Sequence, residues 1–283
     1  MILDVGFLLR GPRGWPGQGA LLVLASVWLS AAWAAPLRRN PPCRRHLGNI
    51  AMENYGLFEG DILLPGNMTD RTAVTSDTAL WPDGVIPFVV ESSLGRNTAA
   101  IEDAMKGIEA ETCLRFVPRT TERDFITLFK GPGCYSAVGR MGNAQPLSLG
   151  DGCVFRGTII HELLHAVGFY HEHSRSDRDQ YINVFLQNVD PRSVSQFQRL
   201  ESWQNRLISP FDFDSVMLYG SSAFARGPGL QHHARLRTGH VWPRSSTRRA
   251  WTTSDARRVN VLYHCSLNGQ SNSKNKKTRP SSP

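Results

Sequence analysis

The chain has 283 residues, 41% of them hydrophobic and 9% aromatic, which is enough for one large domain or two small ones with a sizeable core. Its formal net charge is +8, yet the basic residues are spread along the chain and form no amphipathic or aromatic-interleaved motif. That distribution excludes nucleic acid as the expected partner.

Arg10 and Arg13 precede an apolar run from Ala20 to Trp33, and Ala32 and Ala34 complete an Ala-Xaa-Ala arrangement. Residues 1–35 read as a secretory signal peptide cut near Ala34 or Ala35, because the uninterrupted apolar stretch is shorter than the ~20 residues a spanning helix needs. A secreted, extracellular protein without a stable membrane span is expected. Export makes Cys43, Cys113, Cys134, Cys153 and Cys265 disulfide candidates. Their odd number is an indirect argument for a removable segment holding Cys43, since four would remain to pair.

Residues 36–71 are polar, rich in Pro, Gly and Arg, and lack periodicity, so they read as a propeptide and not a domain. Arg71 suits an activating protease of tryptic specificity, and Asn67-Met68-Thr69 is an N-glycosylation acceptor. From Trp81 the pattern becomes regular. Gly84 to Glu91 reads as a strand. A helix follows, capped by Asn97 or Thr98, with Glu102 and Asp103 in its first turn and Ile101, Met105 and Ile108 at helical spacing. Cys113 to Val117 and Asp124 to Phe129 read as buried strands. The resulting β-α-β-β order predicts an α+β fold whose N-terminal half is a mixed, mainly parallel sheet with helices packed on it.

Thr158 to Asp179 contains His-Glu-Xaa-Xaa-His-Xaa-Xaa-Gly-Xaa-Xaa-His. On a helix, His161 and His165 lie one turn apart on one face, so two imidazoles can reach one ion. Gly168 can take positive φ, end the helix and return the chain so that His171 reaches the same metal. Three protein ligands leave a position open for water, which marks a catalytic zinc, and one Zn²⁺ per chain is expected. Glu162, beside the first ligand, is placed to act as general base and acid in peptide hydrolysis. This extended motif with a later methionine turn is the metzincin signature, and Ser215-Val216-Met217-Leu218-Tyr219 supplies a candidate turn around Met217.

Beyond Asp190 the periodicity weakens. Pro191 to Leu207 reads as one helix and Ala256 to Tyr263 as another, separated by a stretch with few apolar residues. His232, His233 and His240 are irregularly spaced, so a solvated basic loop is the simpler reading and a second metal site the weaker one. Residues 267–283, with Lys274, Lys276, Lys277 and Arg279 among Ser, Asn and Pro, read as a disordered basic tail that offers a polyanion contact.

The metal-binding stretch continues through His171-Glu172-His173-Ser174-Arg175 and Asp177-Arg178-Asp179, and from about Phe58 to Cys265 the chain resembles the astacin family of zinc metalloendopeptidases. The resemblance implies an astacin-like metzincin fold with two long helices, an active-site cleft and an irregular C-terminal subdomain with a late helix. It implies that Phe58-Glu59-Gly60-Asp61 is a propeptide motif in which Asp61 takes the place of catalytic water on zinc, within a protease zymogen whose protease domain spans residues 72–266. It further implies that cleavage after Arg71 or Thr72 creates a buried N-terminus meeting Glu172, that Tyr219 donates to the oxyanion, and that Cys113 pairs with Cys265 and Cys134 with Cys153.

Three features depart from the pattern. Leu218 stands where the family usually has His, which predicts altered packing below the metal. Arg226 to Trp251 lacks expected elements and is crowded with Arg and His. No EGF-like or CUB module is recognisable, as in the short form of the family. The expected function is a secreted zinc endopeptidase made as a zymogen, monomeric, acting on proteins or peptides. A zinc-retaining, non-catalytic binding protein is the competing class.

Overall fold

The computed structural model describes residues 51–64, 76–236, 238–241 and 251–265. The predicted signal peptide, Cys43, Asn67, Arg71, Thr72 and the basic tail lie outside the described residues. Every described residue belongs to one compact unit. Among the described residues no helix is long and apolar enough to cross a membrane.

A six-stranded sheet forms one side of the core, in the order β1 (Ile62–Leu63), β5 (Cys134–Ala137), β6 (Ala144–Leu149), β4 (Phe125–Phe129), β2 (Val85–Val90), β3 (Arg115–Pro118). All neighbouring pairs are parallel except β5 with β6, so the expected mixed, mainly parallel α+β sheet is present. The strands β1, β5 and β6 were not legible in the sequence. Two of them are very short, and β6 carries Pro146.

Two helices pack on this sheet, α1 (Thr98–Glu111) and α2 (Arg156–Val167). Helix α1 buries Ile101, Ala104, Met105 and Ile108 at spacings of three and four, the stripe that drives an amphipathic helix onto a core. Asn97 is its N-cap residue, but its side chain makes no capping hydrogen bond; the Thr98 hydroxyl bonds back to the Gly95 carbonyl at 3.1 Å. Glu102 and Asp103 fall in the second turn, where Asp103 pairs with Arg156 of α2 at 2.9 Å. Helix α2 is buried all round from Gly157 to Val167, packed between the sheet and the C-terminal half.

After α2 the chain is irregular, as expected. A small antiparallel pair joins β7 (Ile182–Val184) to β8 (His233–Arg235), and a late helix α3 (Thr253–Leu262) closes the structure. The single helix predicted over Pro191 to Leu207 is instead a 3₁₀ turn, Pro191–Phe197, followed by turns. Asp190 caps it by accepting from the Arg192 N–H at 2.9 Å, but Ser193, Val194 and Ser195 are poor helix formers and the Leu200 N–H, which would extend the ladder, is given to the Ser174 carbonyl at 2.8 Å. The ladder therefore stops after seven residues.

Two disulfides are formed, Cys113–Cys265 and Cys134–Cys153. The first ties the end of α3 to the strand after α1. Helix α3 is itself well started, with a capping box between Thr252 and Asp255.

Candidate metal centre

Helix α2 presents His161 and His165 on one face, and their Nε2 atoms lie 3.1 Å apart. The helix ends at Gly168, which takes φ 126° and turns its N–H back to the carbonyls of His165 and Leu164. That conformation disfavours any residue with a Cβ, although space itself is open: an added Cβ meets Leu262 at 3.6 Å. The turn delivers His171, whose Nε2 lies 3.1 Å from His161 Nε2. All three rings are essentially inaccessible to solvent.

The second nitrogen of each ring fixes its tautomer. His161 Nδ1 donates to the Val216 carbonyl at 2.9 Å, His165 Nδ1 to the Phe169 carbonyl at 2.7 Å and His171 Nδ1 to Glu59 Oε2 at 2.7 Å. A neutral imidazole has one N–H, so the three Nε2 atoms meet as bare lone pairs. A carboxylate joins them. Asp61 Oδ2 is 3.2 Å from His161 Nε2, and Oδ1 is 3.4 Å from His165 Nε2 and 3.3 Å from His171 Nε2.

Four acceptors converging on one point repel each other unless a cation lies among them. Tetrahedral zinc with bonds near 2.0–2.1 Å spaces its ligands about 3.3 Å apart. The observed separations of 3.1–3.4 Å match that spacing. The residues therefore fit one zinc ion, and among the described residues this is the only cluster of His, Cys, Asp or Glu that could hold a metal. Burial pushes the Asp61 carboxyl upward, but the histidines, chiefly His171, outweigh it and hold it well below the usual range.

Glu162 is fully buried, and neither of its carboxylate oxygens has a hydrogen-bond partner among the described residues. Burial, and then the Asp61 charge, push its pKa well above the ordinary carboxylate value. Tyr219 stacks on His173 with ring centroids 4.2 Å apart, lies 4.3 Å from the His171 ring, and donates its hydroxyl to the Glu59 carbonyl. Its phenol is pushed well above its usual pKa by burial, reinforced by Asp61 and Glu59.

Met217 lies in the main core with Ile160, Leu163 and Leu164, and its carbonyl accepts the Glu172 N–H at 3.0 Å. Leu218 faces away into a separate cluster with Ile182 and Phe211, so an apolar side chain there is matched by apolar neighbours. Glu172 is gripped by a bidentate fork from Arg258 at 2.7 and 2.8 Å and by Arg175 at 3.2 Å.

Two groups here were missed in the sequence. Arg258 was signalled only by an arginine on the buried face of α3, beside Asp255, Val259 and Leu262. Glu59 was signalled by Glu-Gly-Asp, in which residues two apart can point to one side. Glu59 and Gly60 both adopt the left-handed conformation, at φ 46° and 78°, and form the tight turn that aims Glu59 and Asp61 at the histidines. A Cβ on Gly60 would come within 2.5 Å of the Phe224 ring and 2.9 Å of the Met52 carbonyl. Gly60→Ala is therefore expected to weaken docking of residues 51–64 by about 1–3 kcal/mol, measured as faster limited proteolysis within that segment.

The expectation of a solvated loop at His232 and His233 is corrected: both are fully buried. His232 Nε2 bonds the Gly220 carbonyl at 3.0 Å, and His233 lies in β8, whose partner β7 is some fifty residues upstream and so left no local signal. His240 lies on the surface.

The family model for astacin, a family of peptidases, matches residues 73–264. The chain is 39% identical over 231 residues to astacin-like metalloprotease toxin 1 of Loxosceles intermedia, covering 76% of this chain and 83% of that protein. It is 39% identical over 218 residues to high choriolytic enzyme 1 of Oryzias latipes, covering 74% and 78%. The solved structure of that hatching enzyme zinc-protease superposes with a TM-score of 0.60 at 40% identity, over 67% of this chain and 92% of that one. A helix-borne three-histidine site that fits zinc, set on this sheet and matched along most of its length by such relatives, makes the chain a member of the astacin family and a zinc metalloendopeptidase.

Proposed function

We propose that the chain is a secreted zymogen, with residues 1–35 a signal peptide, residues 36–71 a propeptide and residues 72–266 the protease domain, activated by cleavage near Arg71 or Thr72. The observation that carries this reading is Asp61. Its carboxylate, 100 residues upstream of His161, fills the fourth corner of the metal site, where attacking water and a substrate carbonyl would have to be. The same segment adds β1 to β5, pairing Ile62 with Ser136 and Leu63 with Ala137, and so covers the sheet edge an extended peptide would use.

When bound, zinc supplies Lewis-acid polarisation of the scissile carbonyl and makes water more acidic. Glu162 accepts the proton from that water and returns it to the leaving amine, a role suited to a buried carboxylate with both oxygens unpartnered among the described residues. Tyr219, bonded to the Glu59 carbonyl in the uncut chain, becomes free to donate to the developing oxyanion once the segment leaves. Glu172 borders a small cavity lined by Tyr170, Arg175, Leu200, Met217 and Arg258, and the reading assigns that cavity to the new N-terminal ammonium. The substrates are proteins and peptides, the enzyme acts as a monomer, Asn67 carries a glycan, and the tail contacts polyanions.

The test is to cleave the purified chain with trypsin, inactivate the trypsin with a serine-protease inhibitor, and then incubate the chain with denatured protein, with and without a strong chelator. Fragments are expected only after cleavage and only without chelator. Intact substrate in both arms would make the protein a zinc-retaining binding protein.

A further inference from the structure

The three histidines differ in what holds their second nitrogen. For His161 and His165 the acceptors are the backbone carbonyls of Val216 and Phe169, both inside the domain that remains after cleavage. For His171 the acceptor is the side chain of Glu59, 112 residues upstream in the segment that is cut away. Glu59 is fully buried. Among the described residues its Oε1 has no hydrogen-bond partner, and the 2.7 Å bond to His171 is the one hydrogen bond its carboxylate makes.

A carboxylate on the far nitrogen of a metal-bound imidazole fixes its tautomer, locks its orientation and raises its donor strength. The charge makes this bond stronger than the neutral carbonyl bonds that serve the other two rings. The turn at Glu59 and Gly60 is built in a strained backbone conformation, which persists only where surrounding structure holds it. Gln196 does so, accepting the Gly60 N–H at 3.2 Å and donating to the Leu57 carbonyl at 3.0 Å.

We infer that Glu59 is a positioning residue for the metal site of the uncut chain, tightening its hold on zinc through His171. This inference rests on the zymogen reading above. Removing the segment then does two separate things: it clears Asp61 from the fourth corner, and it withdraws the charged support from His171. The active enzyme holds its metal less tightly than its precursor by more than the loss of one ligand explains. Latency and metal retention are thus coupled through one turn, with Asp61 contacting the metal position and Glu59 acting one bond further out.

The experiment measures zinc affinity of the uncut chain by competition with a chelator of known strength, for the unsubstituted protein, Glu59→Gln and Asp61→Asn. Glu59→Gln keeps the shape and removes the charge, and a weakening of roughly 10- to 100-fold is expected, the usual cost of losing such a partner. Cobalt substituted for zinc reports the ligand set: its visible spectrum should stay unchanged in Glu59→Gln and change in Asp61→Asn. Unaltered zinc affinity in Glu59→Gln, or a cobalt spectrum showing a lost ligand, overturns the inference. After trypsin removes the segment, the unsubstituted and Glu59→Gln proteins become the same chain, so the difference must vanish; a persistent difference would trace it to misfolding and also overturn it. Should trypsin fail to release the segment, the zymogen reading falls while the uncut comparison still decides the role of Glu59. Should Glu59→Gln fail to fold, a peptide of residues 51–64, with or without that change, is added to the cut enzyme. Slower zinc loss with the unsubstituted peptide alone supports the inference, and equal rates with both peptides overturn it.

Discussion

Glu162→Gln in the cleaved enzyme is expected to lower kcat by about 10²–10⁴-fold, or about 3–5.5 kcal/mol of barrier, while zinc content measured by atomic absorption stays at one per chain. Gln matches Glu in shape, so α2 and the His161 and His165 that it carries should not move. What is lost is the buried carboxylate next to the first histidine: Asp61 has left with the segment, and Glu172 is committed to Arg258 and Arg175. KM should change little, because the role proposed for Glu162 is on water and not on the resting substrate. Retained activity would return the base to some other group. Loss of zinc along with activity would instead make Glu162 a support for the site. Stability of the uncut chain should not fall, since the substitution removes one of two buried carboxylates that oppose each other, Glu162 and Asp61.

The parts of this site that were legible in the sequence are those whose geometry is local. Helical spacing alone brings His161 and His165 together, and a single glycine explains the arrival of His171. Residues whose role depends on distant pairing carried weaker signals or none. Asp61 entered only through resemblance to a family. Glu59 meets its partner 112 residues away and looks like any loop acid until the turn at Gly60 is seen. The sheet divided the same way: β2 and β4 are dominated by Val, Ile, Leu and Phe and declare themselves, while β1 and β5 are short strands that exist because a neighbour offers them an edge. Pro191 to Leu207 failed for the opposite reason. A helix start signal was present, but the distant Ser174 carbonyl captured the Leu200 N–H that the ladder needed. Burial of His232 and His233 was hidden because β7, the strand they meet, lies far upstream.

Removing the Cys113–Cys265 disulfide by changing both residues to Ala is expected to cost about 5 kcal/mol, from the chain entropy of a long closed loop, and to lower Tm by about 10–20 °C. The sequence separation is 152 residues, which puts the bond at the upper end of what cross-linking contributes. A metal-site consequence should come with it. The bond holds the end of α3, and α3 supports two of the three histidines of the metal site through chains of hydrogen bonds. Arg258 forks onto Glu172, whose neighbour is His171. Asp255 accepts from the Ser215 hydroxyl at 2.6 Å and from the Val216 N–H at 3.0 Å, and the Val216 carbonyl in turn orients His161. Untethered, α3 can open locally at a free energy below that of global unfolding. Zinc release on heating, followed with a chromogenic chelator, should then begin below the unfolding transition in the double variant and coincide with it in the unsubstituted protein. If the two coincide in both proteins, the disulfide acts only by restricting the unfolded chain, and the link from α3 to the metal is carried by Arg258 and Asp255 without its help.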